Sequence, residues 1–265
     1  MTRTVRVVLL ALSSLAMVSC GDDGGESASP TGAPDSASAG VEGDITVFAA
    51  ASLTESFTEV GEAFGAANPG ATATFSFDAS SALVEQITQG APADVFASAD
   101  SANMDKLTEA GLHGGEPVIF ATNLLTIVVA PGNPLGITGV ADLADADLTT
   151  VICADEVPCG RYATEIFAHA GVTVTADSLE QNVRGVVNKV TAGEADAGVV
   201  YVTDVTAAGD GADMVEIPED INVLAEYPIA TVEGSGSAEV GETFIEFLTG
   251  TEGQAIMAEY GFGAP

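Results

Sequence analysis

Five places in this chain bring a neutral hydrogen-bond donor to the end of a predicted strand: Ser52, Ser80–Ser81, Cys159–Gly160, Asn182–Val183 and Tyr201. At the first four, a strand gives way to a helix or a turn. The free N–H groups and the dipole of a helix start favour an anion there. None of the five leads with Lys or Arg, although Arg161 and Arg184 follow closely at two of them. Read alone, Ser52 is simply the cap of its helix, three residues before Glu55 in capping-box spacing. Several such junctions together suggest a site that holds an anion by oriented neutral dipoles.

Other chemistries have less support. Cys153 and Cys159 lie six apart. Behind an export signal, paired cysteines imply a disulfide, which on the chain-entropy model stabilises by about 2–2.5 kcal/mol. A zinc site recruiting Asp155 and Glu156 is the alternative, but the spacing is unusual for zinc and no histidine is near in sequence. His113 and His169, the only histidines, read as surface residues in a loop and late in a helix. A secreted serine hydrolase using Ser52 or Ser80 lacks a GxSxG nucleophile motif and a visible base. Phosphate-loop and dinucleotide fingerprints are absent too.

The elements that must position these residues alternate in type. Ile45, Val47 and Phe48 form a buried strand, after which Leu53, Phe57, Val60 and Phe64 fall at helical spacing. The event repeats with a strand over 72–77 followed by Leu83, Val84 and Ile87 on one helical face. A short strand in 90–100 and a helix over 104–112 come next, then a long apolar stretch, 118–131, interrupted by Asn123. The strand in 147–160, helices over 161–171 and 182–193, and a strand over 197–204 leading into a turn continue the pattern. A second extended stretch covers 221–232, and one last helix is expected over about 240–258. Alternation of this kind predicts mainly parallel sheets with helices on both faces, and the two long extended stretches suit crossings between two lobes. In such sheets ligands bind at the carboxyl ends of strands.

The 265 residues carry 39 Asp and Glu against six Lys and Arg, a formal net charge of −33. This argues against nucleic-acid binding, which needs a basic face. Residues 1–20 read as an export leader: Arg3 and Arg6 form a positive start, and Val7 to Val18 an apolar run too short to span a membrane comfortably. The leader ends in Ser19–Cys20, which resembles a bacterial lipoprotein signal with Cys20 as the lipidated residue; ordinary secretion is the alternative. Residues 21–43, rich in Gly, Ser, Ala, Pro and acid, form a flexible tether.

Several blocks carry a resemblance: ITVFAAASLTESF, FDASSALVEQITQGAPADVFASAD, EVPCGRYA, NVRGVVNKVTAGEADAGVVYVTD and EYPIATVEG, with YGF near the end. From about residue 44 onward the chain resembles the periplasmic or lipoprotein molybdate-binding proteins of ABC importers. The resemblance implies a type II periplasmic-binding-protein fold, two α/β lobes joined by two crossing segments, with 44–122 and 228–265 as one lobe and 123–227 as the other. It implies a non-enzymatic monomer without a cofactor, anchored outside the cell membrane through Cys20, that passes molybdate or tungstate to a membrane permease. The implied ligands of the oxyanion, bound as an anion and not as a bare metal cation, are Ser52, Ser80, Cys159, Val183 and Tyr201. Cys159 stands where the family often has Ala, a mild departure because the backbone N–H does the binding. Asp78 is a second departure, and is expected to point away from a dianion. Molybdate accepts hydrogen bonds and donates none near neutral pH, so a donor-only pocket suits it and penalises protonated phosphate. Sulfate, of like charge and shape, is the alternative ligand, since pocket size alone separates the two.

Overall fold

The computed structural model describes residues 41–265; the leader, Cys20 and most of the tether lie outside the described residues. Strand β1 (Gly43–Ala50) passes through a 3-10 turn, Ala51–Leu53, into α1 (Thr54–Ala67). The unit repeats as β2 (Ala71–Asp78) with α2 (Ser80–Thr88), and as β3 (Val95–Ala97) with α3 (Ser101–Glu109). A twelve-residue strand, β4 (Val118–Val129), leads onward to β5 (Thr150–Cys153) and α4 (Pro158–Ala170). Next come β6 (Ser178–Glu180), α5 (Val183–Thr191), β7 (Ala197–Tyr201), α6 (Val202–Ala208) and β8 (Asp213–Glu216). The chain closes with β9 (Leu224–Thr231), α7 (Ala238–Thr249) and α8 (Thr251–Glu259).

Strand order is β2-β1-β3-β9-β4-β7-β5-β6, with β8 beside the end of β4. In the first lobe β2, β1 and β3 run parallel, and β9 lies antiparallel to β3 and to the first half of β4. In the second lobe β6, β5 and β7 run parallel, and the end of β4, from Leu125, pairs antiparallel with β7 and β8. One strand is therefore shared: β4 hands over from one lobe to the other between Leu124 and Leu125. The return passage is tied to the same point by Asn222, whose Nδ2 donates to the Leu125 carbonyl at 2.9 Å.

The apolar spacing of α1 is what docks it, because Leu53, Phe57, Val60 and Phe64 are all fully buried. Phe57 meets Phe75, Phe120 and Phe244 at centroid distances of 5.9, 5.5 and 6.1 Å. From this core an aromatic series leads toward the second lobe: Phe120 to Tyr227 at 6.2 Å, Tyr227 to Tyr201 at 5.8 Å, Tyr201 to Tyr162 at 6.5 Å. Tilted and edge-on contacts at such distances stabilise beyond the area they bury.

Several sequence expectations need correction. Helix α4 begins three residues before the expected Arg161, because Pro158 supplies a ready-made first helical residue. Helix α3 starts earlier too, where Asp100 accepts the Asn103 N–H at 3.0 Å and caps it. The turn expected after Tyr201 is α6, and β6 and β8 escaped the sequence reading because each is only a few residues long. The single C-terminal helix is two, broken at Gly250: Gly253 lies so close to Leu248 that a Cβ would come within 2.6 Å of its Cα. The Ser52–Glu55 capping box does not form, since the α-helix begins at Thr54 and Glu55 turns to Arg184 instead.

Gly160 marks the tightest approach near the carboxyl end of β5. A Cβ there would lie 2.1 Å from the carbonyl oxygen of Ala154, in the loop bounded by the Cys153–Cys159 disulfide. Neither side can yield easily, so Gly160→Ala is expected to destabilise the protein by about 1–3 kcal/mol in denaturant unfolding. Gly236→Ala, with nothing within 4 Å of the added atom, is expected to stay within about 0.5 kcal/mol of the parent.

Candidate solute-binding site

The carboxyl ends of five parallel strands face one another across the junction of the lobes, and each delivers one predicted residue. Ser52 follows β1, Ser80 follows β2, Cys159 follows β5, Val183 follows β6 and Tyr201 ends β7. All five line one narrow cavity of about 10 Å³, and none of the residues around it is charged. That is little more than the room a single water needs, and far below the few hundred Å³ of organic-ligand pockets. The neighbouring cleft is much larger, about 590 Å³, but there Asp78, Glu85 and Glu156 outnumber Lys106, so its lining disfavours an anion.

The donors are set up locally. Pro158 has no N–H, so the amide of Cys159 is the first that α4 can offer. Val183 opens α5, and the preceding Asn182 caps that helix by accepting the Gly185 N–H at 3.1 Å. Ser80 opens α2, and its Oγ accepts the Ala99 N–H at 3.0 Å, leaving the hydroxyl hydrogen free to donate. Ser52 Oγ lies 3.0 Å from the Tyr227 hydroxyl. Burial holds the Tyr227 phenol well above its ordinary pKa, so it stays protonated and can donate to Ser52, whose own hydrogen is then released for a ligand. Tyr201 is fully buried, its pKa is likewise raised by burial, and its hydroxyl has no hydrogen-bond partner among the described residues.

Asp78 stays out of the cavity. Its Oδ1 accepts the Ala79 N–H at 2.8 Å and Asn182 Nδ2 at 3.0 Å, and it faces the larger cleft. The structure joins Cys153 and Cys159 as a disulfide with Cα atoms 5.7 Å apart, so their sulfurs are not zinc ligands. Neither serine meets a histidine: His169 Nδ1 lies 3.1 Å from the Ile221 carbonyl, and His113 bridges to Val232. Sequence reasoning missed Tyr227, which stands behind Ser52 outside the cavity lining and sat in a stretch read only as a crossing segment. The signal was a tyrosine set between Glu226 and Pro228 in a largely apolar strand.

Two α/β lobes that share a strand and close helix starts over a small uncharged cavity define a protein that captures a solute and performs no reaction on it. Residues 45–263 match the family of bacterial extracellular solute-binding proteins, and the chain belongs to that family. It is 41% identical over 249 residues to the molybdate-binding protein ModA of Mycobacterium tuberculosis, covering 94% of this chain and 93% of that one. Among solved structures it resembles the substrate-binding domain of a putative molybdenum ABC transporter from Clostridium difficile, at 28% identity and a TM-score of 0.64, over 84% of this chain and 99% of that one. The sulfate-binding protein SubI of Mycobacterium tuberculosis shares the fold at a TM-score of 0.76 and 20% identity, covering 83% of this chain and 86% of that one. The fold therefore does not choose the anion.

One carboxylate lies just behind the site. Asp204, in the first turn of α6, is buried; its Oδ2 accepts the Tyr201 N–H at 3.0 Å while Oδ1 has no partner. Burial pushes its pKa up to about 7 against the opposing pull of the Tyr201 N–H and Arg184, with Glu55 adding to the rise. A folded-state pKa above the unfolded value of 3.8 means that folding favours the protonated acid. Its stabilising effect is complete below pH 3.8 and fades as pH rises through about 7. Asp204→Asn, which keeps an acceptor for Tyr201, is expected to remove this slope and to gain at least about 1 kcal/mol over the parent at pH 8. Denaturant unfolding of both proteins between pH 4 and 8 measures it; parallel curves would assign the slope to other groups.

Proposed function

We propose that this chain captures molybdate, and tungstate with it, outside the cell and delivers it to the membrane permease of an ABC importer. The observation that carries the reading is the buried hydroxyl of Tyr201, which has no acceptor among the described residues, on a residue that lines an uncharged cavity bounded by three helix starts and Ser52. A fully ionised tetrahedral oxyanion supplies the missing acceptor and asks for none in return. The ligand set is Ser52, Ser80 and Tyr201 through their hydroxyls, with amides at Ser80, Cys159 and Val183. The lobes, 44–122 with 228–265 and 123–227, close over the anion as a monomer, without a cofactor, and Cys20 tethers the domain to the membrane through lipid. The relatives named for molybdate support this choice of anion over sulfate.

Hydrogen bonds to an ionised partner contribute about 1.5–3 kcal/mol each. Calorimetry with molybdate should therefore show Ser52→Ala and Tyr201→Phe weakened about tenfold or more. Exposed Glu246→Gln should bind as the parent does. Equal losses at Ser52 and Glu246 would make the neutral-dipole site the wrong account, and tighter binding of sulfate in the same titrations would reassign the ligand. For the anchor, metabolic labelling with a fatty-acid probe should mark the protein, and Cys20→Ala should abolish the label.

A further inference from the structure

The described residues hold four Lys and Arg side chains, and they divide sharply by partner. Lys106 donates to Asn103 on its own helix, and Lys189 to Glu180 and Ser178 within the second lobe. Both arginines cross between the lobes. Arg161, two residues beyond Cys159, places an NH2 nitrogen 2.7 Å from Asp100 Oδ2. Arg184, next to Val183, places an NH1 nitrogen 2.7 and 2.8 Å from the two carboxylate oxygens of Glu55. Asn182 adds a third cross-lobe bond, its uncharged amide Nδ2 donating to the Asp78 carboxylate at 3.0 Å. Each cross-lobe bond thus starts within two residues of a second-lobe amide donor and ends within three residues of the first-lobe cavity residues Ser52, Ser80 or Ala99.

From this juxtaposition we propose that Arg161 and Arg184 are positioning residues that latch the lobes shut over the bound anion and set its release rate, an inference that rests on the site proposed above. Neither touches the cavity, so the latches do not add charge to the ligand's shell. Their ion pairs form only when the lobes meet, because both carboxylates lie on the opposite lobe; within its own lobe Arg161 NH2 makes only a long, 3.5 Å contact to the Glu156 carbonyl. The latches are unequal. The Asp100 side chain is 2% exposed; its Oδ1 is taken by Asn103 and Ser98, and among the described residues its Oδ2 faces Arg161 alone. Removing Arg161 leaves that carboxylate buried and uncompensated in the closed form only, a large cost. The side chains of Glu55 and Arg184 are 34% and 38% exposed, so solvent screens that pair and its removal costs little.

Stopped-flow release of molybdate from the full chain tests this. Arg161→Gln is expected to release at least about tenfold faster and Arg184→Gln about threefold faster, with association changed less than about twofold. Raising salt should speed release from the parent more than from the double variant. The exchanged pair Glu55→Arg with Arg184→Glu should bring release back toward the parent rate, which a purely structural role would not do. Parent-like release from Arg161→Gln, or equal changes in association and release, would overturn the proposal. Should the parent bind no oxyanion, small-angle scattering of the ligand-free protein still decides the latch: Arg161→Gln must be more open than the parent, and an identical scattering profile would refute it.

Discussion

The Tyr201 hydroxyl is buried at the seam of the two lobes, and nothing among the described residues accepts its hydrogen. A buried donor without a partner costs on the order of 1–3 kcal/mol, and the surroundings would relieve it if they could. They do not, because the walls are largely alanine, valine and proline, and the oxygens of Ser52, Ser80 and Asn182 are already engaged by Tyr227, the Ala99 N–H and the Gly185 N–H. An acceptor-only ligand relieves the whole set at once. The rest of the architecture serves this condition: five strand ends are brought to one point, and the lobes share β4 so that they meet there.

A chain of formal charge −33 has a long-range field that opposes any anion. Salt screens that field over about 8–10 Å, whereas the donors act at contact. The cavity itself contains no carboxylate, and Asp78, the acid nearest to Ser80 in sequence, is held outside by Ala79 and Asn182. The two arginines, which could have met the ligand directly, are placed across the seam against Asp100 and Glu55. A cation inside the cavity would attract phosphate and sulfate as strongly as molybdate. Neutral donors instead select by protonation state and by size.

Hydrogen bonds behind the cavity determine how its donors point. Tyr227 orients Ser52, the Ala99 amide orients Ser80, and Asp204 holds the Tyr201 backbone. Tyr227 also stands in the aromatic series between the first-lobe core and Tyr201, so the packing that stabilises the fold fixes the ligand geometry as well.

The alternation of strand and helix was legible in the sequence because buried faces repeat with fixed periods, as Leu53, Phe57, Val60 and Phe64 do on α1. Small and hydroxyl residues after the first two strands marked the places of Ser52 and Ser80, and the strand–helix junctions at Cys159 and at the Asn182 cap marked those of Cys159 and Val183, since the residue type at a helix start is a local property. What the sequence could not decide is which carboxylates and tyrosines arrive from elsewhere. Glu55 reads as part of a capping box, yet it reaches Arg184, 129 residues away; Tyr227 reads as part of a crossing strand, yet it meets Ser52, 175 residues away. The division of one expected C-terminal helix at Gly250 likewise follows from how closely Gly253 approaches Leu248. Local spacing determined most of the longer elements, though not all of their ends. Only tertiary structure decided their partners, because a side chain's long-range contacts depend on where the strands are ordered in the sheet and not on its neighbours in the chain.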